Sequence, residues 1–378
     1  MRLLLTGGGT GGHVYPALSV LQALRTMTAS AATPLDLLWV GSEGGMEAGL
    51  VTRAGVPFVG VPAGGVRGMD PVTLARNMGK LSQGYFQARG IVRQFHPDVV
   101  FATGGYVGVP VVLAGREIGT PSLVYLPDIE PGMAVKALAR LVDRICVTSE
   151  ASRPHLPADK VVATGYPVRY ELNQPGDKAA ARQALDLDTA TPTLLIFGGS
   201  RGARRINQAA LAAAERLAVL AQVIHVTGDL DAAQARDALA ALPAAVQARY
   251  RVYAYLHGEM VDALRAADLV VSRAGAAILG EYPAVGVPAL LVPLPIAGGH
   301  QWPNAELLVQ AGAAVTVPDA ELDGDRLARE VAAALGDPTM LAARAAAMAR
   351  LAQPDAARRI GMELLSLAGA RLALGGAA

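Results

Sequence analysis

His13 ends a glycine-rich turn, Gly7-Gly8-Gly9-Thr10-Gly11-Gly12, that opens after the apolar run Leu3-Leu4-Leu5-Thr6. A histidine side chain titrates near neutrality and can accept a proton from a hydroxyl. At the positive end of a helix its neutral, basic form is favoured. A second turn of the same kind lies in the other half of the chain, where Leu194-Leu195-Ile196-Phe197 runs into Gly198-Gly199-Ser200-Arg201-Gly202-Ala203. Each reads as a buried strand that turns sharply into a helix, which needs residues without a Cβ. The free N–H groups at such a helix start attract phosphate. The Ser200 hydroxyl suits a diphosphate, and Arg169 can add a charge-assisted bond.

Two further clusters suit the rest of a nucleotide sugar. Arg273-Ala274-Gly275-Ala276 leads to Glu281, a lone carboxylate in an apolar helix that can accept both ribose hydroxyls. Gly298-Gly299-His300-Gln301-Trp302-Pro303-Asn304 carries the donors and acceptors that sugar hydroxyls require. A competing assignment exists. Gly7, Gly9 and Gly12 also satisfy the G-x-G-x-x-G dinucleotide fingerprint, with Glu43 as the acid for a ribose, which would make the chain a nicotinamide or flavin oxidoreductase. Against it, His13 and Tyr15-Pro16 crowd the helix start, and a dinucleotide gives no reason for the second turn. Three Asp-x-Asp triplets, at Asp186, Asp229 and Asp323, have the form of a nucleotide-sugar metal motif. They fall in polar stretches beside helices and read as caps and turns, so no metal is expected.

These residues need strands to carry them. Apolar β-rich runs recur at Arg2–Thr6, Leu35–Val40, Pro57–Val61, Asp98–Ala102, Ser122–Leu126, Arg144–Thr148 and Lys160–Ala163. The second half repeats the scheme at Thr193–Phe197, Gln222–Thr227, Arg251–Tyr255, Leu269–Ser272, Ala289–Pro293 and Ala314–Val317. Helix-like stretches lie between most of them. The alternation predicts an α/β protein with two parallel sheets, each covered by helices on both faces. In such sheets the ligand sits beyond the carboxyl ends of the strands, where Gly7–His13, Thr103–Tyr106, Gly198–Ala203 and Ser272–Ala276 all fall. Gly165–Arg169 reads as the hinge, giving domains at 1–165 and 166–350, with a last helix at 351–378.

The composition agrees. Hydrophobic residues make up 52% of the 378 and charged residues 17%, which suits buried parallel strands. A net charge of +1 gives no general attraction to nucleic acid. The single cysteine, Cys146, excludes an intramolecular disulfide and lies in an apolar run. The first apolar run breaks at Gly7, too soon for a signal peptide. The uncharged stretch from Glu281 to Glu306 is broken by five prolines, which argues against a membrane span. One region is unbalanced: between Glu47 and Asp98 the only acid is Asp70, beside Arg53, Arg67, Arg76, Lys80, Arg89 and Arg93. Its part from Pro71 to Phe95 reads as a helix with interleaved apolar residues, a surface suited to anionic lipid or a lipid-linked pyrophosphate.

Gly8-Gly9-Thr10-Gly11-Gly12-His13-Val14-Tyr15-Pro16 closely resembles the first glycine loop of the MurG family of N-acetylglucosamine transferases. Matches continue at Gly104-Gly105-Tyr106-Val107, Pro167-Val168-Arg169, Gly198–Ala203, Gly275–Glu281, Pro288–Pro293 and Gln301 with Asn304-Ala305. The resemblance implies a GT-B fold, two Rossmann-like domains around a cleft, with a C-terminal helix returning to the first. It implies a transfer of N-acetylglucosamine from UDP-N-acetylglucosamine to the muramyl C4 hydroxyl of lipid I. The anomeric configuration would invert and lipid II would form at the cytoplasmic face of the inner membrane. The first domain would take the acceptor and the second the donor.

By the same resemblance, Thr10, Gly11 and Gly12 contact the donor and His13 is the base. Tyr106 and Asp128 join the substrate site, Arg169 and Ser200 hold the diphosphate, and Leu256 lies beside uracil. Ala276, Ala277, Ile278, Leu279, Gly280 and Glu281 embrace the nucleoside, and Gln301 contacts the sugar. Three positions differ from the family's usual residues. Tyr125-Leu126-Pro127-Asp128 replaces His-Glu-Gln-Asn, Tyr166 replaces an asparagine, and His300-Gln301 replaces paired glutamines. A related transferase acting on diacylglycerol or another lipid is the alternative these positions leave.

Overall fold

The computed structural model describes residues 1–8, 11–29, 35–65, 70–199, 202–295 and 299–375. Its strands are apolar runs buried on both faces, as parallel strands covered by helices must be; Leu3, Leu4, Leu5, Val99, Val100 and Phe101 are all fully buried. The chain divides into two units, Met1–Arg169 with Gln353–Ala378, and Tyr170–Ala352.

The first unit holds β1 (Arg2–Thr6), β2 (Asp36–Ser42), β3 (Phe58–Val61), β4 (Val99–Ala102), β5 (Ser122–Leu126), β6 (Arg144–Val147) and β7 (Val161–Ala163). They form one parallel sheet in the order β3-β2-β1-β4-β5-β6-β7. Its helices include α1 (Gly11–Thr28), α2 (Glu47–Arg53), α3 (Pro71–Phe95), α4 (Gly108–Glu117) and α5 (Met133–Leu141). The last helix, Ala356–Gly375, packs on α1. Gly361 lies there so close to Leu24 and Met27 that a Cβ would stand 3.3 Å from each. Cys146 is a buried core residue of β6, and burial pushes its thiol pKa well up.

The second unit holds β8 (Thr193–Phe197), β9 (Gln222–Val226), β10 (Tyr250–Tyr253), β11 (Leu269–Ser272), β12 (Ala289–Leu291) and β13 (Ala314–Thr316). They too are all parallel, in the order β10-β9-β8-β11-β12-β13. Helices α6 (Lys178–Ala184) and α7 (Arg204–Ala212) flank β8 in sequence. The predicted strands are all present, four with the expected limits and the rest with ends moved by one or two residues. β12 ends at Leu291 because its last ladder bond, from the Val292 N–H to the Ser272 carbonyl, is followed by Pro293, which has no N–H to donate.

In each sheet the strand order reverses beside the first strand. Connections from β1 and β4, and from β8 and β11, leave in opposite directions and open a crevice at the carboxyl edge. The four turns that follow these strands are the ones singled out from their glycines.

Two of the Asp-x-Asp triplets are visibly structural. Asp323 caps the helix Gly324–Leu335 by accepting from the Arg326 N–H at 2.7 Å. Asp188 accepts from the Ala190 N–H and the Thr191 hydroxyl, and these bonds hold its carboxyl below the usual range.

Candidate active site

In the first unit the turns after β1 and β4 interlock. Gly104 and Gly105 adopt left-handed backbone angles, φ +106° and +78°. A Cβ on Gly105 would lie 2.8 Å from the Gly8 carbonyl oxygen, and one on Gly104 would lie 2.8 Å from His13 Cε1. Only glycine meets both demands. Beside them the His13 Nδ1 lies 2.5 Å from the Thr103 carbonyl. A carbonyl only accepts, so Nδ1 carries the proton and Nε2 keeps its lone pair. The ring is thus held as the tautomer a general base needs, third residue in α1 and half-buried.

The dinucleotide alternative fares badly at this turn. Glu43 is exposed, and its backbone N–H joins the Val61 carbonyl. The space beside Gly8 is taken by the buried Glu47 carboxyl, an acceptor where a pyrophosphate would need donors.

Thr10 and Ser200 lie outside the described residues, as does the side-chain environment of Gly11. Gly12 is half-buried at the start of α1, and Tyr106 is half-buried in the turn after β4. The Arg169 guanidinium stands over the Tyr15 ring, 5.2 Å from its centroid, a cation–π contact two residues from His13. Asp128 is half-buried beyond β5. The unusual tyrosines prove to be partners. Tyr125 is buried, its hydroxyl 2.7 Å from Thr148 Oγ1, and its ring meets Tyr166 edge-on at 6.4 Å. Thr148 in turn donates to the Pro127 carbonyl at 2.8 Å, so Tyr125 and Thr148 together brace the turn that presents Asp128. Burial pushes the Tyr125 phenol well above its ordinary pKa.

In the second unit the turn after β11 is clamped from both sides. Gln301 Oε1 accepts from the Ala274 N–H at 3.1 Å and the Leu294 N–H at 2.9 Å. Three residues on, one helical turn away in Gln301–Gln310, the buried Asn304 donates Nδ2 to the Ala274 carbonyl at 3.1 Å. Both Gln301 partners are donors, which fixes its amide orientation and leaves Nε2 to donate elsewhere. Arg273 donates to the Val292 carbonyl at 3.0 Å and pairs with Asp319. Ala276, Ile278 and Leu279 are buried, so their side chains build the wall rather than reach outward, while Ala277 is half-buried. Gly280 precedes Glu281, itself buried at the start of the helix Glu281–Val285. Leu256 is buried beyond β10.

Sequence reasoning missed a buried polar chain behind the second glycine turn. Asn207, in α7, donates Nδ2 to the Thr227 carbonyl and to Asp231, both at 2.8 Å. Its Oδ1 must therefore accept from His225 Nε2 at 3.0 Å, and His225 Nδ1 accepts from the Tyr250 hydroxyl at 3.0 Å. Burial lowers the His225 pKa to about 4, with Asp231 opposing. The chain ties α7 to the carboxyl end of β9 and to the first residue of β10. A polar residue facing the core from each of three neighbouring elements was the signal available.

Residues 3–147 match the glycosyltransferase family 28 N-terminal domain, and residues 193–360 match the family 28 C-terminal domain. A UDP-N-acetylglucosamine--N-acetylmuramyl-(pentapeptide) pyrophosphoryl-undecaprenol N-acetylglucosamine transferase of Roseiflexus sp. (strain RS-1) is 41% identical, over 97% of this chain and 95% of that one. The crystal structure of Acinetobacter baumannii MurG is similar at TM-score 0.74 and 27% identity, covering 97% of this chain and 99% of that one. A Neisseria meningitidis UDP-GlcNAc 2-epimerase bound to UDP-GlcNAc shares the fold alone, at TM-score 0.69 and 14% identity, covering 97% and 100%. Two Rossmann-like units with paired turns at their switch points thus define a GT-B glycosyltransferase. At this identity over nearly its whole length, the chain belongs to the MurG family within glycosyltransferase family 28.

Proposed function

We propose that the protein transfers N-acetylglucosamine from UDP-N-acetylglucosamine to the muramyl C4 hydroxyl of lipid I, forming lipid II for peptidoglycan. His13 Nε2 takes the C4 hydroxyl proton as that oxygen bonds to the anomeric carbon. The anomeric carbon–oxygen bond to phosphate breaks, UDP leaves with the electron pair, and the configuration inverts. Thr10, Gly11 and Gly12 contact the donor, and Tyr106 and Asp128 line the substrate site. Arg169, Ser200 and the helix start after β8 neutralise the departing diphosphate. Leu256 and residues 276–281 hold the nucleoside, with Glu281 on the ribose, and Gln301 donates from Nε2 to the sugar. The observation that carries this reading is the His13 ring held by Nδ1 on the Thr103 carbonyl, its lone pair left on Nε2, at the switch point of the first sheet.

The acceptor is membrane-borne, and α3 supports a surface for it. Val72, Leu74, Met78 and Phe86 are exposed on this helix alongside Arg76 and Lys80. Apolar side chains with flanking cations suit the interface of an anionic membrane. No described helix is long and apolar enough to cross one. We place the enzyme peripherally, at the cytoplasmic face of the inner membrane.

Labelled transfer from UDP-N-acetylglucosamine onto lipid I, run beside diacylglycerol, tests the acceptor; product on diacylglycerol alone would overturn it. His13→Ala should lower kcat by roughly a hundredfold or more, the span of lost general-base catalysis, with UDP affinity retained. An unchanged rate would remove His13 as the base.

A further inference from the structure

Glu47 is fully buried, yet no step above uses it. It begins α2, five residues beyond the end of β2. Its Oε1 accepts from the Ser42 N–H at 2.8 Å. Glycines surround the carboxyl. A Cβ on Gly8 would lie 2.2 Å from Oε1, one on Gly45 would lie 2.4 Å from Oε2, and one on Gly41 would lie 3.2 Å from Cγ. The carboxyl therefore fills the side-chain space of the first catalytic turn itself. Beside it, Trp39 Nε1 donates to the Gly7 carbonyl at 3.2 Å, which fixes the preceding peptide.

From Glu47 the contacts run without a gap to the base. Glu47 abuts Gly8, the Gly8 carbonyl abuts Gly105, and Gly104 abuts the His13 ring, whose Nδ1 is held by Thr103. A group with oxygen acceptors is costly to bury unless donors meet it. Here the carboxyl takes the Ser42 N–H at the end of β2 and abuts Gly8, so it joins the β2–α2 turn to the β1–α1 turn. We infer that Glu47 is a positioning residue: it fixes the height of the Gly7–Gly8 turn and, through it, the place of His13 Nε2 relative to the acceptor hydroxyl. Misplacing a reacting group by about 1 Å can cost roughly a hundredfold in rate. The nucleoside contacts proposed above and the helix start after β8 belong to the other unit, so UDP affinity depends mainly on groups outside this contact series.

This inference rests on the transferase reading, and the wild-type enzyme separates the two: no transfer by wild type onto lipid I would overturn the reading itself. Given an active wild type, Glu47→Ala should lower kcat roughly tenfold to a hundredfold, with UDP affinity by calorimetry within about twofold. Glu47→Gln keeps the volume and one acceptor oxygen and should recover most of that loss. A folded Glu47→Ala enzyme with unchanged kcat would overturn the inference, as would equal losses of kcat and UDP affinity. Should Glu47→Ala not fold, Glu47→Asp decides. Its shorter arm withdraws the carboxyl from Gly8, so a fall in kcat with UDP affinity retained supports the role and an unaltered kcat refutes it.

Discussion

Acidification should destabilise the second unit through His225. The imidazole is buried with both nitrogens engaged, and its pKa falls to about 4 in the folded chain, against about 6.5 when unfolded. The folded state therefore binds fewer protons than the unfolded one between these values. Stability from this group is complete above pH 6.5 and is lost as pH falls toward 4. The 2.5-unit difference between 6.5 and about 4 corresponds to about 3 kcal/mol at 1.36 kcal/mol per unit. At pH 5 about 2 kcal/mol of it has gone. The carboxylates also titrate, so the measurement must be a difference. Urea denaturation of wild type and His225→Gln at pH 7.5 and 5.0, with hydrogen exchange reporting on the second unit, supplies it. The variant should be less stable at pH 7.5, because Asn207 and Tyr250 lose a partner. It should nonetheless lose about 2 kcal/mol less than wild type on going to pH 5.0. Equal pH slopes would refute the assignment of a neutral, bridging His225.

Gln301 offers a test that separates loop support from sugar contact. Gln301→Ala leaves the Ala274 and Leu294 N–H groups without their acceptor and should lower stability by about 1–3 kcal/mol while raising donor KM. Gln301→Glu still accepts from both N–H groups but loses the Nε2 donor, so donor KM should rise while the melting temperature holds. An unaltered KM in Gln301→Glu would exclude the sugar contact. On α3, the helix proposed to meet the membrane, Phe86→Glu should weaken sedimentation with anionic phospholipid vesicles and leave UDP affinity unchanged. Full retention of vesicle binding would place the membrane surface elsewhere.

Much of the fold was legible because parallel strands buried on both faces are short unbroken apolar runs, and glycine marks where each must turn. β1, β5, β8 and β11 have the expected limits, and α3 begins at Pro71 behind its Asp70 cap and ends where His96 turns left-handed at φ +47°. The polar partners were not legible. Glu43 stood out only as the ribose acid of the dinucleotide alternative, because it follows a strand directly, yet it is Glu47, four residues later, that reaches the glycines. Asn207, His225 and Tyr250 are far apart in the chain, and only the pairing of β9 with β10 and the packing of α7 beside β8 bring them together. The tyrosines at 125 and 166 looked like separate departures from the family. In the fold they are one packed pair, so a change at either site alone would leave the other ring without its neighbour.

The glycines themselves separate into two kinds, and the division bears on which turns meet a ligand. Gly8, Gly104 and Gly105 are required by the protein's own packing, since Glu47, His13 and the opposite turn occupy the space a side chain would take. Their replacement would break the scaffold before it affected any ligand. Gly275 is different. Its backbone angle is one any residue adopts, and no described atom stands within 4 Å of where its Cβ would be. Among the described residues nothing in the packing there calls for glycine, while Gln301 and Asn304 hold the adjacent Ala274 backbone. A turn held firmly and left bare on its outer side is what close approach of a nucleoside needs. On the proposed reading, Gly8, Gly104 and Gly105 serve to place His13, and Gly275 leaves room for the nucleoside.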